Sequence, residues 1–339
     1  MRGILNWKHF DALKYGLAIL AILLTGLILL STGVFKYPEL LGMAVLSYTF
    51  GLRHAFDADH IAAIDNITRK LIQQHKNTKG VGFFFSCGHA SVVIIMGVLT
   101  IFAVEWMQKA LPQFQAVGGV ITTLVSGVFL LILATINFII LKDILVTFNS
   151  MRCGTYNAEI AERPDKGFIN RTINRLFNLV NKNWHVYLVG FLFGLGFDTA
   201  TQIAVLATSA SASAKGIPWV AILSFPILFT AGMSMMDTID GFFMTTAYQW
   251  VLSSPLRKVY YNLTITGLSI LAAGVIGIIE VLQVFAQESG RNNGFWLWLQ
   301  NLNFNIMGFI LVGMFVVVWA MSYIGWKLLR LDQKESSFV

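Results

Sequence analysis

Apolar stretches of about 20 residues recur along the whole chain, and a helix of that length crosses the roughly 30 Å hydrocarbon core of a bilayer. Only 12% of the side chains are charged, whereas soluble domains carry roughly 25%. A membrane β-barrel would instead show alternating segments of about ten residues. The sequence therefore predicts an all-α, polytopic membrane helix bundle, and it excludes a cytosolic enzyme, a disordered chain and a disulfide scaffold.

The apolar stretches divide the chain into about eight predicted transmembrane helices, with boundaries good to a few residues. A basic N-terminal flank without a small-residue cleavage site indicates that the first stretch is a retained helix rather than a signal peptide. The length fits one transmembrane domain over residues 1–339. The predicted spans are residues 14–34, 39–67, 80–104, 116–141, 185–211, 217–246, 262–286 and 296–326.

The basic residues are distributed unequally between the two sides of this arrangement. Nineteen of the 24 lie in the termini and in the loops that follow spans 2, 4 and 6, against four in the other loops. Because basic loops remain in the cytoplasm, we expect both termini on the cytoplasmic side of the inner membrane. The net charge of +7 is therefore attributed to topology and lipid headgroups, not to nucleic acid. The long hydrophilic segment 142–184 is expected to be a basic cytoplasmic loop, with a regulatory or partner-binding role as the alternative.

Ionisable side chains occur inside several predicted spans, where each costs about 2.5–3.5 kcal/mol on insertion scales. Five uncompensated carboxylates would cost on the order of 12 kcal/mol, and Arg53 supplies only one positive charge against them. A divalent cation bound by histidine and carboxylate ligands would compensate this cost. The candidate metal ligands are His54, Asp57, Asp59, His60, His89, Asp198, Asp237 and Asp240.

Span 2 is the strongest part of this pattern, because it carries two histidines and two aspartates within residues 54–60. With about 100° between successive residues of a helix, His54, Asp57 and His60 share one sector and Asp59 points away. Either Asp59 makes a separate contact or the helix is locally unwound, and Gly51 makes such a distortion inexpensive.

The remaining candidates have other readings that the sequence leaves open. His89 alone could be a hydrogen-bonded packing residue, and Asp198 could bond to a serine or threonine of a neighbouring helix. Asp237 and Asp240 share a face at a spacing of three residues and could cap the cytoplasmic end of span 6. Cys87, one of two cysteines, is expected to be a small packing residue.

Spans 2 and 3 resemble spans 5 and 6. Phe-Gly-Leu at 50–52 parallels 193–195, and the segment around Gly88 parallels the segment around Gly232. An offset of three spans reverses direction across the membrane, so the pattern predicts an inverted repeat of spans 2–4 and 5–7. Proteins built in this way bind their substrate near the membrane midplane, where the repeats meet.

The segment 53–61, Arg-His-Ala-Phe-Asp-Ala-Asp-His-Ile, closely resembles the span-2 signature of the nickel/cobalt transporter (NiCoT) family. Segments 85–93, 195–202 and 232–241 are similar to the other motifs of that family. The resemblance implies a single eight-span transport domain, a permease that imports Ni²⁺ or Co²⁺ and depends on the span-2 motif. Gln202 stands where glutamate is usual, which puts a charged contribution of span 5 in doubt. Cys87 stands where leucine is usual and could shift metal preference.

We therefore expect a secondary permease, since no ATP-binding P-loop motif is present and the metal ion is a substrate rather than a cofactor. His54, Asp57, Asp59 and His60 would hold the ion, and His89 would complete the shell. Asp198 and the pair Asp237 and Asp240 would complete the site or guide exit. An intramembrane aspartyl protease and a metal sensor without transport are the alternatives.

Overall fold

A computed structural model describes most of the chain, and every regular element in the described part is a helix. The all-α prediction is therefore confirmed. The described residues are 2–74, 76–102, 119–139, 141–142, 145, 182–195, 200–252, 255–291, 293–302 and 304–328. The helices are α1 (Arg2–Val34), α2 (Glu39–His54), α3 (Ala58–Gln73), α4 (Val81–Phe102), α5 (Gly119–Ile139), α6 (His185–Gly194), α7 (Ala200–Ala214), α8 (Trp219–Ile222), α9 (Ser224–Leu252), α10 (Pro255–Glu288), α11 (Gly294–Gln300) and α12 (Phe304–Leu328).

Several of these helices have the length and apolar character of membrane spans. Within the described residues, five satisfy both conditions, and they belong to α1, α4, α5, α8–α9 and α10. Many large apolar side chains on them face outward, among them Ile28 and Leu271. These features confirm a multi-pass helical membrane protein. The predicted total of eight spans and the inverted repeat remain predictions, and the 142–184 loop lies almost entirely outside the described residues.

The predicted span 2 is two helices rather than one. α2 ends at His54, α3 begins at Ala58, and Asp57 between them has an extended backbone with ψ 141°. The unwound alternative for span 2 is therefore the correct one. In span 5, α6 ends at Gly194 with Leu195 in a turn, and the described part of the chain resumes in α7 at Ala200.

α12 covers the break in span 2. The ring of Phe56 stacks on the ring of Phe309 with 4.8 Å between their centroids. Gly308 lies so close to the carbonyl oxygen of Phe56 that a β-carbon would collide with it. The polar backbone of the break therefore faces protein on this side.

The predicted span 8 starts too early. Residues 294–300 form the short helix α11, and α12 begins only at Phe304. The reason is local, because Asn301 ends α11 and its side-chain amide donates a hydrogen bond to the carbonyl of Leu297 at 2.8 Å. Such a bond competes with continuation of the helix.

α3 lies inside the bundle, where it packs against α9, α10 and α12. Its apolar residues Ile61, Ile64 and Ile67 are fully buried, but so are polar residues such as Asp65 and Asn66. The buried polar side chains of α3 therefore need hydrogen-bond or ion-pair partners on the surrounding helices.

Two close helix crossings hold α2 and α6 in place. A β-carbon on Gly51 of α2 would collide with the carbonyl oxygen of Phe229 on α9. One on Gly88 of α4 would collide with the carbonyl oxygen of Tyr187 on α6. Small residues permit this backbone approach, as is common where membrane helices cross.

Candidate metal site

Three buried histidines from three helices meet at the break in span 2. His54 is the last residue of α2, His60 lies in the first turn of α3, and His89 lies in the middle of α4. Each can offer one ring nitrogen such that the three atoms lie within 4.8 Å of one another. Their exposed fractions are only 1–3%. The unwinding at residues 55–57 is what brings His54 and His60 into one cluster with a residue from a different span.

The three rings form a nearly regular triangle. Their centroids are 4.7 Å apart for His54 and His60, 4.7 Å for His54 and His89, and 4.8 Å for His60 and His89. The Nε2 atoms of His54 and His89 are separated by 2.9 Å. A neutral imidazole carries one lone pair and one proton on its two nitrogens, so converging nitrogens form a ready set of ligands for a cation.

Two carboxylates lie behind the histidines. Oδ2 of Asp57 is 3.2 Å from Nδ1 of His54, and Oδ2 of Asp237 on α9 is 3.5 Å from Nδ1 of His60. Both carboxylates are buried, and within the described part of the chain their oxygens accept no hydrogen bond. A carboxylate against one imidazole nitrogen fixes the proton there and leaves the other nitrogen for a metal ion.

α7 completes the surroundings of the cluster with two neutral groups. Oγ1 of Thr201 is 3.2 Å from Nδ1 of His54. The side-chain amide of Gln202 lies against Nε2 of both His54 and His89. Rotation of this amide would present its oxygen, which can bind a metal, in place of its nitrogen. The sequence analysis treats Gln202 only as a departure from a motif and does not select Thr201, although both belong to the segment 195–202.

The other predicted ligands stand at the edge of the cluster or outside the described residues. Asp59 is half-buried, and its Oδ1 accepts a hydrogen bond from the backbone N–H of His60 at 2.9 Å. Asp240 lines a separate, mostly apolar pocket beside Phe56 and Ile61. Asp198 lies outside the described residues. Arg53 is exposed, so it does not lie among the buried carboxylates as the sequence analysis assumes.

A polar cavity leads from the cluster to one side of the bundle. Its volume is about 390 Å³, and at one end it is bounded by His54, Asp57, Asp59 and His89. At the other end it is bounded by Gln287, near the end of α10, and by Gln300 and Leu302, which lie in the connection between α10 and α12. The predicted topology places this connection outside the cell, and we therefore call the cavity the outer vestibule.

A second buried polar network lies further along α3, beyond the cluster. Asp65 accepts hydrogen bonds from the hydroxyls of Tyr248 and of Ser269, the latter at 2.7 Å. One turn further, the buried guanidinium of Arg69 donates to the carbonyl oxygen of Thr266 at 3.5 Å. The sequence analysis assigns Arg69 to the loop after span 2, and it does not select Asp65 although this residue lies within the predicted span.

Comparisons with known proteins agree with this geometry. Residues 40–324 match the family model described as NicO, high-affinity nickel-transport protein. The chain is 48% identical to the nickel transporter NixA of Staphylococcus aureus over 88% of each protein. It is 47% identical to the high-affinity nickel-transport protein NixA of Helicobacter pylori, over 93% of this chain and 96% of that protein.

A further relative carries the name of a different metal. The chain is 37% identical to the cobalt transport protein NhlF of Rhodococcus rhodochrous, over 83% of this chain and 81% of the relative. No solved structure matches the chain at a significant level. The family model spans most of the sequence, and the two NixA proteins match this chain over most of their own length. The chain therefore belongs to the NicO family of high-affinity nickel-transport proteins.

Proposed function

We propose that this protein is a secondary permease that takes up Ni²⁺, with Co²⁺ as the second candidate, through the histidine cluster. The observation that carries the proposal is the meeting of three buried histidines at a broken helix, at the end of a polar vestibule. Broken helices at membrane depth are typical of ion sites in transporters. The names of the relatives, which are nickel transporters and one cobalt transport protein, support the choice of metal.

In the proposed site, His54, His60 and His89 bind the ion directly. Asp57 and Asp237 orient His54 and His60 and balance the charge, because two carboxylates and one divalent ion sum to zero. This neutrality removes most of the cost of holding either charge inside the bilayer. Asp59 forms part of the approach, and Asp198 and Asp240 remain candidates for completing the shell or guiding exit.

The donor set favours a borderline transition metal. Imidazole suits nickel, cobalt, copper and zinc, whereas Cu(I) is bound preferentially by thiolates. Cys87 is half-buried on α4 and is not a member of the histidine cluster. Affinity order alone does not separate Ni²⁺ from Co²⁺, so the preference is a matter for competition experiments.

The transport path follows the polarity of the interior. The ion enters through the outer vestibule, loses water at the histidines and leaves along α3 past Asp237, Asp240 and Asp65. Opening the inner side requires the network of Asp65, Tyr248 and Ser269 to separate. An interior-negative membrane favours inward movement by about 2.3 kcal/mol per charge for each 100 mV, and a divalent ion carries two charges.

The inverted repeat is supported by paired helix contacts between α4 and α9. A β-carbon on Gly241 would lie 3.0 Å from the backbone nitrogen of Gly82. One on Gly97 would lie 3.0 Å from the ring of Pro226. The sequence shift that relates Phe85 to Phe229 also relates Gly82 to Pro226 and Gly97 to Gly241. Such reciprocal contacts are expected where two repeats are related by an internal twofold axis, and rocking about it gives alternating access.

The remaining assignments follow from this proposal. The protein lies in the cytoplasmic membrane with eight spans and both termini inside, and the ion is a substrate rather than a cofactor of an enzyme. It forms a single transport domain with a basic cytoplasmic loop at residues 142–184. The excess of basic residues in the loops assigned to the cytoplasm supports this orientation.

Uptake of radioactive nickel by the purified protein in liposomes tests the proposed function. The wild-type chain is expected to accumulate nickel, and His60→Ala is expected to abolish accumulation. His185→Ala, at the start of α6 and outside the cluster, is the matched control and is expected to retain uptake. Wild-type uptake by the His60→Ala variant would contradict the ligand assignment. If the wild-type protein bound nickel but did not transport it, the result would favour a sensor. Nickel uptake measured with excess Co²⁺, Zn²⁺ or Mn²⁺ ranks the competing metals.

A further inference from the structure

Glu280 on α10 is a carboxylate inside the bundle that lies outside the predicted ligand set. Its side chain is 4% exposed, and its Oε1 accepts a hydrogen bond from Oγ of Ser126 on α5 at 3.0 Å. It lines the outer vestibule, the same cavity that ends at His54, Asp57 and His89. A carboxylate at this depth is costly in a membrane protein and indicates a function.

The packing of α5 and α10 holds this carboxylate at the vestibule. A β-carbon on Gly127 would lie 3.1 Å from Cβ of Glu280, and one on Gly277 would lie 2.8 Å from the carbonyl oxygen of Gly127. This close approach sets Ser126 beside Glu280 and fixes the direction of the carboxylate. The Glu280 carboxylate is therefore held by helix packing at the cavity and is not a solvated surface charge.

The lining of the vestibule suits a hydrated cation. Its described residues include the carboxylates Asp57, Asp59 and Glu280 and the amides of Gln283, Gln287 and Gln300, but no lysine or arginine. Oxygen donors suit hard, hydrated divalent cations. The cavity of about 390 Å³ is many times the space that one water molecule needs, so an ion can enter with its water shell.

A second observation points to an occupant at the inner end of the same cavity. Asp57 is 1% exposed, and in the described part of the chain neither of its carboxylate oxygens accepts a hydrogen bond. Its Oδ2 faces Nδ1 of His54 at 3.2 Å, and a cation bound by the histidines would balance this buried charge. Glu280 and Asp57 line the same cavity, so both can act on one entering cation.

We propose that Glu280 is a transient cation-binding residue that captures the hydrated divalent ion in the outer vestibule before the histidines bind it. The inference rests on the proposed function of metal uptake. A residue that acts only at capture controls the rate at low external metal concentration. It leaves the maximal rate to the histidine cluster and to the helix movements.

Uptake kinetics of radioactive nickel in liposomes, with the full chain, test this role. Glu280→Gln is expected to raise KM about tenfold and to leave Vmax within about twofold, because a cleft lined by one charge sign raises the capture rate of opposite ions by at least about tenfold. Glu280→Asp keeps the charge and is expected to restore most of the wild-type KM.

Two control variants separate capture from helix packing. Glu288→Gln removes an exposed carboxylate of the same helix that does not line the vestibule, and it is expected to leave KM unchanged. Ser126→Ala removes the hydrogen bond to Glu280 but keeps the carboxylate, and it is expected to stay near the wild-type KM. If Ser126→Ala and Glu280→Asp both lose as much uptake as Glu280→Gln, the role is structural and the proposal is wrong.

Ionic strength provides a readout that a packing role would not change. Salt screens the attraction of an ion by a charged vestibule, so the wild-type KM is expected to rise with added salt. The KM of Glu280→Gln is expected to rise less. An unchanged KM together with an unchanged salt dependence in Glu280→Gln would overturn the proposal.

If Glu280→Gln fails to fold, a variant at the mouth of the vestibule tests capture by charge instead. Gln287 is exposed and lines the cavity, so it accepts either charge without loss of packing. Gln287→Lys is expected to raise KM and Gln287→Glu to lower it, and equal values would contradict capture by charge. Absence of uptake by the wild-type protein would refute the proposed function, whereas wild-type uptake with an unaffected Glu280→Gln would refute this inference alone.

Discussion

Asp57 and Asp237 face two different histidines of one cluster from two different segments of the chain. Asp57, in the break between α2 and α3, lies 3.2 Å from Nδ1 of His54, and Asp237, on α9, lies 3.5 Å from Nδ1 of His60. The first pair is local in sequence, but the second joins spans 2 and 6. The cluster is therefore completed only when the two halves of the chain come together.

Replacing either carboxylate by its amide is expected to weaken metal binding without removing a histidine. Asp57→Asn and Asp237→Asn should each reduce nickel affinity by about 10- to 100-fold, as is usual when the group behind a ligand histidine is lost. Titration calorimetry of the detergent-solubilised protein measures the affinity. Glu39→Gln, at the exposed start of α2, is the control and should bind like the wild type. Wild-type affinity in both site variants would mean that neither carboxylate supports a ligand.

Adding a charge at Gln202 is expected to strengthen binding. Its side-chain amide lies against His54 and His89, so Gln202→Glu would place a third carboxylate beside the ion. The charge of the ligand set tunes cation affinity, and we expect about tenfold tighter nickel binding in the same titration. Gln74→Glu, just beyond the end of α3, should leave affinity unchanged. Weaker binding by Gln202→Glu would show that the amide at this position is itself required.

The helix crossing at Gly88 is expected to tolerate no side chain. Gly88→Ala forces a methyl group onto the carbonyl oxygen of Tyr187, and we expect a loss of about 1–3 kcal/mol in the free energy of unfolding. Denaturation in sodium dodecyl sulfate, followed by tryptophan fluorescence, measures this loss. Gly42→Ala has no atom within 4 Å of the new carbon and should gain up to about 1 kcal/mol from helix propensity. Equal stability of the two variants would argue against the crossing.

The network at Asp65 is expected to stabilise the closed inner side. Ser269→Ala removes the 2.7 Å hydrogen bond to Asp65 and should cost about 1–3 kcal/mol, because a buried carboxylate loses a donor. Ser289→Ala, an exposed serine directly after the end of the same helix, should change stability by less than about 0.5 kcal/mol. The same denaturation assay compares them. A neutral Ser269→Ala would mean that Tyr248 alone satisfies Asp65.

The sequence predicts the helical class and selects the three histidines as candidates, because each of these predictions depends on the residue types within one apolar stretch at a time. His54 and His60 can be recognised from span 2 alone, and the same segment offers local unwinding as one of two explanations for the direction of Asp59. The contact between His60 and Asp237 cannot be read in this way, since it depends on how span 6 packs against span 2. From the sequence alone, Asp237 could be selected only as a carboxylate inside a span, without its histidine partner being known.

The positions of three charged residues could not be predicted from the sequence, and the physical reason is different for each. Arg53 sits among site residues in the sequence, but its side chain is exposed because it points to another face of α2. Asp65 lies near the end of the predicted span 2, and only the packing of α3 against α9, α10 and α12 shows that it is a buried group. Glu280 is a single carboxylate in an apolar span, and only the shape of the vestibule connects it with the histidines.

The contact of Gly308 with Phe56 has a mechanical consequence. A bilayer offers no water to hydrate the peptide groups of an interrupted helix, so α12 shields them from the hydrocarbon. If α12 moved away while the metal crossed, those groups would meet lipid. Movement of α12 together with the α2–α3 segment as one unit would keep these groups shielded, although α12 stands outside the predicted repeat.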